Sequence, residues 1–168
     1  MVKIVLLLLL SAKAFAETVE MVEQHAYLSL SAPQPSSTIV AAIITGLSLP
    51  VAQGATFSFR VDLYVSMSSP ATGILIGMTS SAASQAYVST LGCQADGTNQ
   101  SGASITSPSI TSTVSLNGGT TSAHCVITGT ITGSESAAST LIPTVARSSS
   151  VGTVTVLTGS TIKAERIN

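Results

Sequence analysis

Hydroxyl groups are the most abundant potential nucleophiles in this 168-residue sequence, which contains 50 serines and threonines. A hydroxyl attacks a substrate only when a base accepts its proton and a third group orients that base. Candidate bases are few, because the chain has two histidines, His25 and His124. None of the patterns G-x-S-x-G, G-x-x-x-x-G-K-[ST] or H-E-x-x-H occurs. The sequence therefore predicts a protein that is not an enzyme.

Paired carboxylates for acid–base catalysis are equally scarce, since Asp62, Asp96, Glu135 and Glu165 lie far apart along the chain. Asp62 follows Arg60 by two residues, a spacing that places both side chains on the same face of a strand. We expect a solvated or cross-strand ion pair there, with a structural rather than a catalytic role.

Cys93 and Cys125 are the two cysteines of the chain, and they allow a single disulfide. Two buried free thiols are the alternative, because cysteine also serves as a small core residue. His124 precedes Cys125 and adds a third potential zinc ligand, but a structural zinc site requires four. We therefore expect no metal ion and no cofactor.

Charged residues make up 8% of the chain, compared with about 25% of an ordinary soluble domain. Six basic and seven acidic residues give a net charge of −1. Binding of nucleic acid requires a cluster of Lys and Arg that neutralises phosphates, and the sequence has none. A weakly charged surface rich in hydroxyls favours association with other proteins. The composition predicts a protein that works inside an assembly.

The N-terminal segment combines Lys3, an apolar run at 4–10 and Ala-Phe-Ala at 14–16, the arrangement of a secretory signal and its cleavage site. The run is much shorter than the roughly 20 apolar residues of a membrane-spanning helix, so no membrane span is predicted. Two interpretations remain open: a leader removed after Ala16, or an apolar arm that docks on a neighbouring protein. In the second case the anchoring side chains are Ile4, Val5, Leu6, Leu7, Leu8 and Phe15.

Period-two alternation typical of β-strands begins near residue 38 and is clearest at 56–67, where six apolar residues alternate with Ser58, Arg60, Asp62, Tyr64 and Ser66. The Asn-Gly-Gly sequence at 117–119 predicts a hairpin. About eight or nine short strands at this spacing favour a sandwich or a barrel.

The side chain of His124 should point outward or into an interface, because the neighbouring Cys125 alternates with apolar residues on the core face of its strand. An exposed or interfacial histidine is the expected role for this residue.

The domain organisation follows from these patterns. Residues 1–35 are predicted to form an N-terminal arm and hinge, and residues 36–168 a single β-sandwich domain. Within the arm, 17–27 is interpreted as a short helix or an extended segment. The Ser/Thr-rich stretch 98–113 is interpreted as a long surface loop, with a contact loop to a partner or receptor as the alternative.

Five segments of the domain together form a characteristic series of strand and turn motifs: 46–51 (GLSLPV), 56–60 (TFSFR), 71–74 (ATGI), 151–156 (VGTVTV) and 159–167 (GSTIKAERI). This pattern resembles a module of many virion proteins of tailed bacteriophages. In that module a closing glycine–serine turn leads into a last strand with a basic–acidic–basic signature, here Lys163, Glu165 and Arg166. The resemblance covers most of the chain, from about residue 36 onward.

The resemblance implies a jelly-roll antiparallel β-sandwich, often trimeric, of the type found in capsid decoration (cement) proteins and at the tips of tail fibres. The short N-terminal arm makes the chain more similar to a decoration protein. It would then reside in the virion as a homotrimer bound to the major capsid protein or another virion protein. Two alternatives remain open: a receptor-binding or adhesive protein of a tail or cell surface, and a secreted β-sandwich protein, matured after Ala16, that binds a small carbohydrate.

Overall fold

The computed structural model describes residues 25–30, 34–80, 85–95, 114–116 and 121–167. Within these residues the chain is all-β; they include no helix, and hence none that could cross a membrane. The strands are β1 (His25–Ser29), β2 (Gln34–Ser36), β3 (Ala42–Ile43), β4 (Leu49–Val51), β5 (Thr56–Met67), β6 (Ile74–Ser80), β7 (Gln85–Ala95), β8 (Val114–Leu116), β9 (Ser122–Thr132), β10 (Ser139–Ala146), β11 (Val154–Val156) and β12 (Thr161–Arg166).

The strands form two antiparallel sheets, sheet A with seven strands and sheet B with five. Some short strands lie end to end and share one position in their sheet. In sheet A, β12 and β11 pair with successive parts of β5, and β1 and β2 pair in turn with β12 and β11. In sheet B, β3 and β4 pair with the two ends of β10. The twelve strands therefore occupy nine positions, five in sheet A and four in sheet B.

The strand order is that of a jelly roll with one added strand. Sheet A runs β7, β9, β5, β11/β12, β2/β1, and sheet B runs β8, β6, β10, β3/β4. Successive positions along the chain alternate between the two sheets. Without β7, which lies at the edge of sheet A beside β9, the remaining eight positions have the two-sheet jelly-roll order. The predicted jelly-roll β-sandwich is confirmed.

The sequence predicts eight or nine strands, whereas the described residues form twelve strands in nine positions. The hairpin predicted at 117–119 is wrong, because β8 pairs with β6 in sheet B and β9 belongs to sheet A. β1 and β2 lie within or next to the segment 1–35, for which the sequence predicts an arm and a hinge, and they form an edge of sheet A. Strands β11 and β12 share one position along β5. The N-terminal strands were missed because a three-residue strand and a five-residue strand show too little alternation to stand out.

The core lies between the two sheets and is built on the alternation within β5. The odd-numbered side chains of β5, from Phe57 to Met67, point inward and are at most 5% exposed. Facing residues of sheet B, including Leu49, Ile76 and Leu141, are equally buried. Because each buried aliphatic side chain contributes about 1.5–3 kcal/mol of transfer free energy, this alternation fixes which face of β5 is outward.

A turn at residues 157–160 separates β11 from β12 and shapes the surface of sheet A. The N–H of Ser160 donates to the carbonyl of Leu157 at 3.3 Å, and Gly159 occupies the third turn position with φ of +87°. A positive φ at this position is typical of a type II turn and favours glycine. The buried Ser160 hydroxyl accepts from the N–H of Tyr64 at 3.0 Å and donates to the carbonyl of Leu157 at 2.8 Å. These bonds hold Leu157 beside Tyr64.

Candidate binding site

The outward face of sheet A carries a cluster of polar and aromatic side chains. Arg60, Asp62 and Tyr64 lie at successive outward positions of β5. His124 is directly opposite Tyr64 on β9, and Gln94 on β7 is directly opposite His124. Three adjacent strands therefore present their side chains to one patch, which we call the Tyr64 patch: Arg60, Asp62, Tyr64, Gln94 and His124.

Asp62 is the central group of this patch. Its two carboxylate oxygens accept hydrogen bonds from Nε and Nη2 of Arg60, both at 2.8 Å, and Oδ1 lies 3.2 Å from Nε2 of His124. The side chain of Asp62 is 15% exposed, whereas those of Arg60 and His124 are 52% and 34% exposed. Hydrogen bonding from the Arg60 guanidinium is the largest effect on this carboxyl, and it lowers the pKa of Asp62.

Tyr64 and His124 stack on each other above the sheet. Their ring centroids are 4.7 Å apart and their planes are inclined by 12°. The two residues are directly paired across β5 and β9, where side chains of neighbouring strands are close enough for such contacts. The bond between His124 and Asp62 fixes the imidazole, and the stack in turn restricts the Tyr64 ring, which remains 44% exposed.

An open groove of about 420 Å³ runs beside the stacked rings. Tyr64, His124, Gln94, Ser122 and Leu157 line it, together with Val65 and Ala123. Its lining combines aromatic and aliphatic surface with an amide, a hydroxyl and an imidazole. The walls are mostly apolar with a few polar groups, and the groove is shallow and open to solvent along the surface.

The strand that carries Gln94 is covalently joined to the strand that carries His124. Cys93 and Cys125 are directly opposite on β7 and β9 and form a disulfide beneath the sheet surface. Both are buried, so the core-facing position predicted for Cys125 is correct. Of the two states left open by the sequence, disulfide or buried free thiols, the structure has the disulfide.

The ionisable side chains of the Tyr64 patch contact one another. The basic, acidic and imidazole groups of the Tyr64 patch are bonded to one another, and a neutral amide lies at its border. His124 points outward, as the sequence predicts, and Arg60 and Asp62 form the expected ion pair, within one strand and extended across strands by His124. Among the described residues no group of three His, Cys, Asp or Glu side chains could hold a metal ion.

Several predicted functional residues lie outside the described residues. These are the anchoring side chains Ile4, Val5, Leu6, Leu7, Leu8 and Phe15, and the loop 98–113. Tyr64 and Gln94, in contrast, were not among the functional residues predicted from the sequence. The signal was available for Tyr64, because a large aromatic residue at an outward position of a long strand is a candidate for recognition.

The chain was compared with models of known protein families and with curated protein sequences, and it matches none of them.

Proposed function

We propose that this protein is a non-enzymatic structural component of a bacteriophage particle, which decorates or cements the capsid as a homotrimer through protein–protein contacts. The observation that carries the proposal is the jelly-roll strand order, which is the architecture implied by the resemblance of its strand and turn motifs to virion modules.

The distribution of charge supports a role in protein contacts. The strands of sheet B, within the part of the chain that the structure describes, contain no charged residue, whereas Arg60, Asp62, Lys163, Glu165 and Arg166 all lie on strands of sheet A. A charge-free surface can be buried against another protein without the desolvation cost of an unpaired ion.

Exposed apolar side chains occur beside this neutral sheet. Ile39, Val40 and Ile43 are 61%, 70% and 56% exposed, and Ile43 belongs to the edge strand β3. Contiguous exposed apolar surface marks interaction sites in soluble proteins. We assign these three residues to the surface that contacts the particle or a neighbouring subunit.

The apolar segment at the N-terminus supplies the proposed anchor. We expect deletion of residues 1–16 to abolish binding to particles, because it removes Ile4, Leu6, Leu8 and Phe15. The sandwich should still fold, since the first of its described strands begins at His25, beyond the deletion. Co-sedimentation with purified particles measures binding, and far-UV circular dichroism measures folding. Persistent co-sedimentation of a folded deletion variant contradicts the anchoring role.

The decisive experiment is mass spectrometry of the N-terminal peptide of the protein recovered from purified particles. A terminus at Met1 or Val2 on assembled particles supports the retained arm and the particle function. A terminus at Glu17, or absence of the protein from particles, contradicts both.

An exported β-sandwich binding protein is the second candidate, and the Cys93–Cys125 disulfide favours it. Structural disulfides persist in oxidising compartments and are rare in the cytosol, where phage particles assemble. Rapid denaturation of the cells in the presence of an alkylating reagent, which gives the reagent access to buried thiols, followed by mass spectrometry without reduction, distinguishes the two. Two alkylated thiols in the cell support cytosolic assembly, whereas an unalkylated pair together with a Glu17 terminus supports export.

A further inference from the structure

We propose that the groove beside Tyr64 and His124 binds a neutral pyranose ring, either a single sugar or one unit of a glycan. This inference goes beyond the particle function and does not depend on it.

The shape of the groove suits a ring-sized ligand. Its volume of about 420 Å³ lies in the lower part of the usual range for small-molecule sites, about 300–1,000 Å³. It is open along the surface, so a longer glycan could enter with one unit in the groove and the remainder in solvent. Leu157 is held at one side of the groove by the bond from its N–H to the Tyr64 carbonyl at 2.7 Å.

The walls match the two-sided chemistry of a pyranose. One face of such a ring presents C–H groups that pack against an aromatic surface. His124 covers one face of Tyr64, and the Tyr64 side chain remains 44% exposed, so its other face can receive the sugar. The edge of the sugar presents hydroxyls, each both donor and acceptor. The Gln94 amide offers a donor and an acceptor, and the Ser122 hydroxyl and the His124 imidazole also lie in the lining. An aromatic peptide side chain would use the Tyr64 wall but would leave these polar groups unmatched.

The charges of the patch favour a neutral ligand. Arg60 forms a bidentate ion pair with Asp62, which also bonds His124, so the cation that could attract a phosphate is already paired. The negative charge of Asp62 is compensated in the same way, which removes the attraction for a cationic ligand. Among the described residues that line the groove, none is Asp, Glu, Lys or Arg.

The rings are fixed before a ligand arrives. The Asp62–His124 bond and the Tyr64–His124 stack restrict both rings, and the disulfide beneath them joins the strands of Gln94 and His124. A pre-organised site loses less side-chain entropy on binding, which matters for sugars because each of their contacts is weak.

The test is saturation-transfer difference NMR of the full chain with four probes: the methyl glycosides of glucose, galactose, mannose and N-acetylglucosamine. We expect saturation transfer to the ring protons of at least one of them. For that sugar, Tyr64→Ala should raise the dissociation constant at least tenfold, and Gln94→Ala should raise it at least threefold. Ile167→Ala truncates a side chain that is exposed outside the groove, and it should leave the constant unchanged.

Each contrary result overturns the inference. Absence of transfer to all four sugars excludes a pyranose site, and equal affinity of wild type and Tyr64→Ala places the sugar elsewhere. Displacement of the bound sugar by an equal concentration of N-acetyltyrosine amide assigns the groove to an aromatic peptide instead. Gln94 is exposed on the edge strand β7, so Gln94→Ala carries the test if Tyr64→Ala does not fold. Particle co-sedimentation is scored separately, so failure of the capsid proposal does not affect this result.

Discussion

Asp62 connects residues of two strands into one cluster, because its carboxylate bonds Arg60 on β5 and His124 on β9. The carboxylate is largely shielded from solvent, but its main partner is half exposed. Ion pairs of this kind contribute little individually, about 0.2–1 kcal/mol. Their effect here is geometric, since the same contacts hold the His124 ring against Tyr64.

Asp62→Asn should lower the free energy of unfolding at neutral pH by about 0.5–1 kcal/mol. Arg60 lowers the folded-state pKa of Asp62, so the ionised carboxylate stabilises the fold at pH values above its unfolded pKa of about 3.9. This contribution is lost as the pH falls through the lower folded-state value. Urea denaturation of both proteins at neutral pH and in strong acid measures the change.

The difference between wild type and Asp62→Asn should therefore disappear in acid. A difference that is equal at both pH values would show that the substitution acts by packing and not by charge. Glu165→Gln, which removes an exposed carboxylate from the same sheet, is the control and should change stability by less than about 0.5 kcal/mol.

Both the backbone conformation and the close packing at position 152 require glycine. Its φ is +81°, and a Cβ at this residue would lie 2.1 Å from Oγ1 of Thr72 and 2.8 Å from Oγ of Ser68. We expect Gly152→Ala to destabilise the protein by about 1–3 kcal/mol. Thermal denaturation of Gly92→Ala provides the control, because a Cβ at Gly92 meets no atom within 4 Å. Equal melting temperatures for the two variants would contradict the steric argument.

At the scale of the elements, the disulfide joins the edge strand β7 to β9. An edge strand pairs on one side only and therefore separates from its sheet more readily than a central strand. The bond closes a loop across 32 positions of sequence, which includes β8 and the segment 96–113. The cross-link thus lowers the conformational entropy of the unfolded chain. It also keeps Gln94 next to His124.

The double variant Cys93→Ala, Cys125→Ala should lose about 2–4 kcal/mol of stability, the usual range for a cross-link that closes a loop of this length. Urea denaturation with and without dithiothreitol provides the measurement. The reductant should lower the urea concentration at which half of the wild-type protein is unfolded toward the value of the variant. The value of the variant should not change. An unchanged wild-type midpoint after unfolding in reductant would mean that the disulfide contributes nothing.

Strand β5 is the other element on which the molecule depends. It pairs with β9 along one side and with β12 and β11 along the other, and its inner face carries six buried side chains. The same strand therefore supplies both a large part of the core and three residues of the Tyr64 patch. A one-residue shift of its register would bury Arg60, Asp62 and Tyr64, which is why the core fixes the site.

At the scale of the whole molecule, one continuous core joins the two sheets, so the sandwich should unfold as a single cooperative unit. Leu63 is fully buried, and Leu63→Ala should cost about 2–5 kcal/mol. Urea unfolding followed by circular dichroism and by tyrosine fluorescence should give coincident transitions for the wild type and the variant. Two separate transitions would show that the sheets unfold independently. Ile167→Ala, at an exposed residue, serves as the control for the size of the effect.

Local sequence determined the all-β class, the inward and outward faces of β5, the outward direction of His124 and the ion pair between Arg60 and Asp62. All four follow from period-two alternation, which depends only on neighbouring residues of one strand. Local alternation also identified Cys125 as a core-facing residue, but it left the state of the two cysteines open.

Only the tertiary structure decided which strands are neighbours. Tyr64, Gln94 and His124 come from three separate strands, and they meet because β5 and β7 both pair with β9. The assignment of β1 and β2 to sheet A and the shared position of β11 and β12 were decided in the same way. Strand order and register minimise the exposed apolar area of the whole sandwich, a quantity that no single segment of sequence contains. The Tyr64 groove therefore became visible only when three strands were assembled side by side.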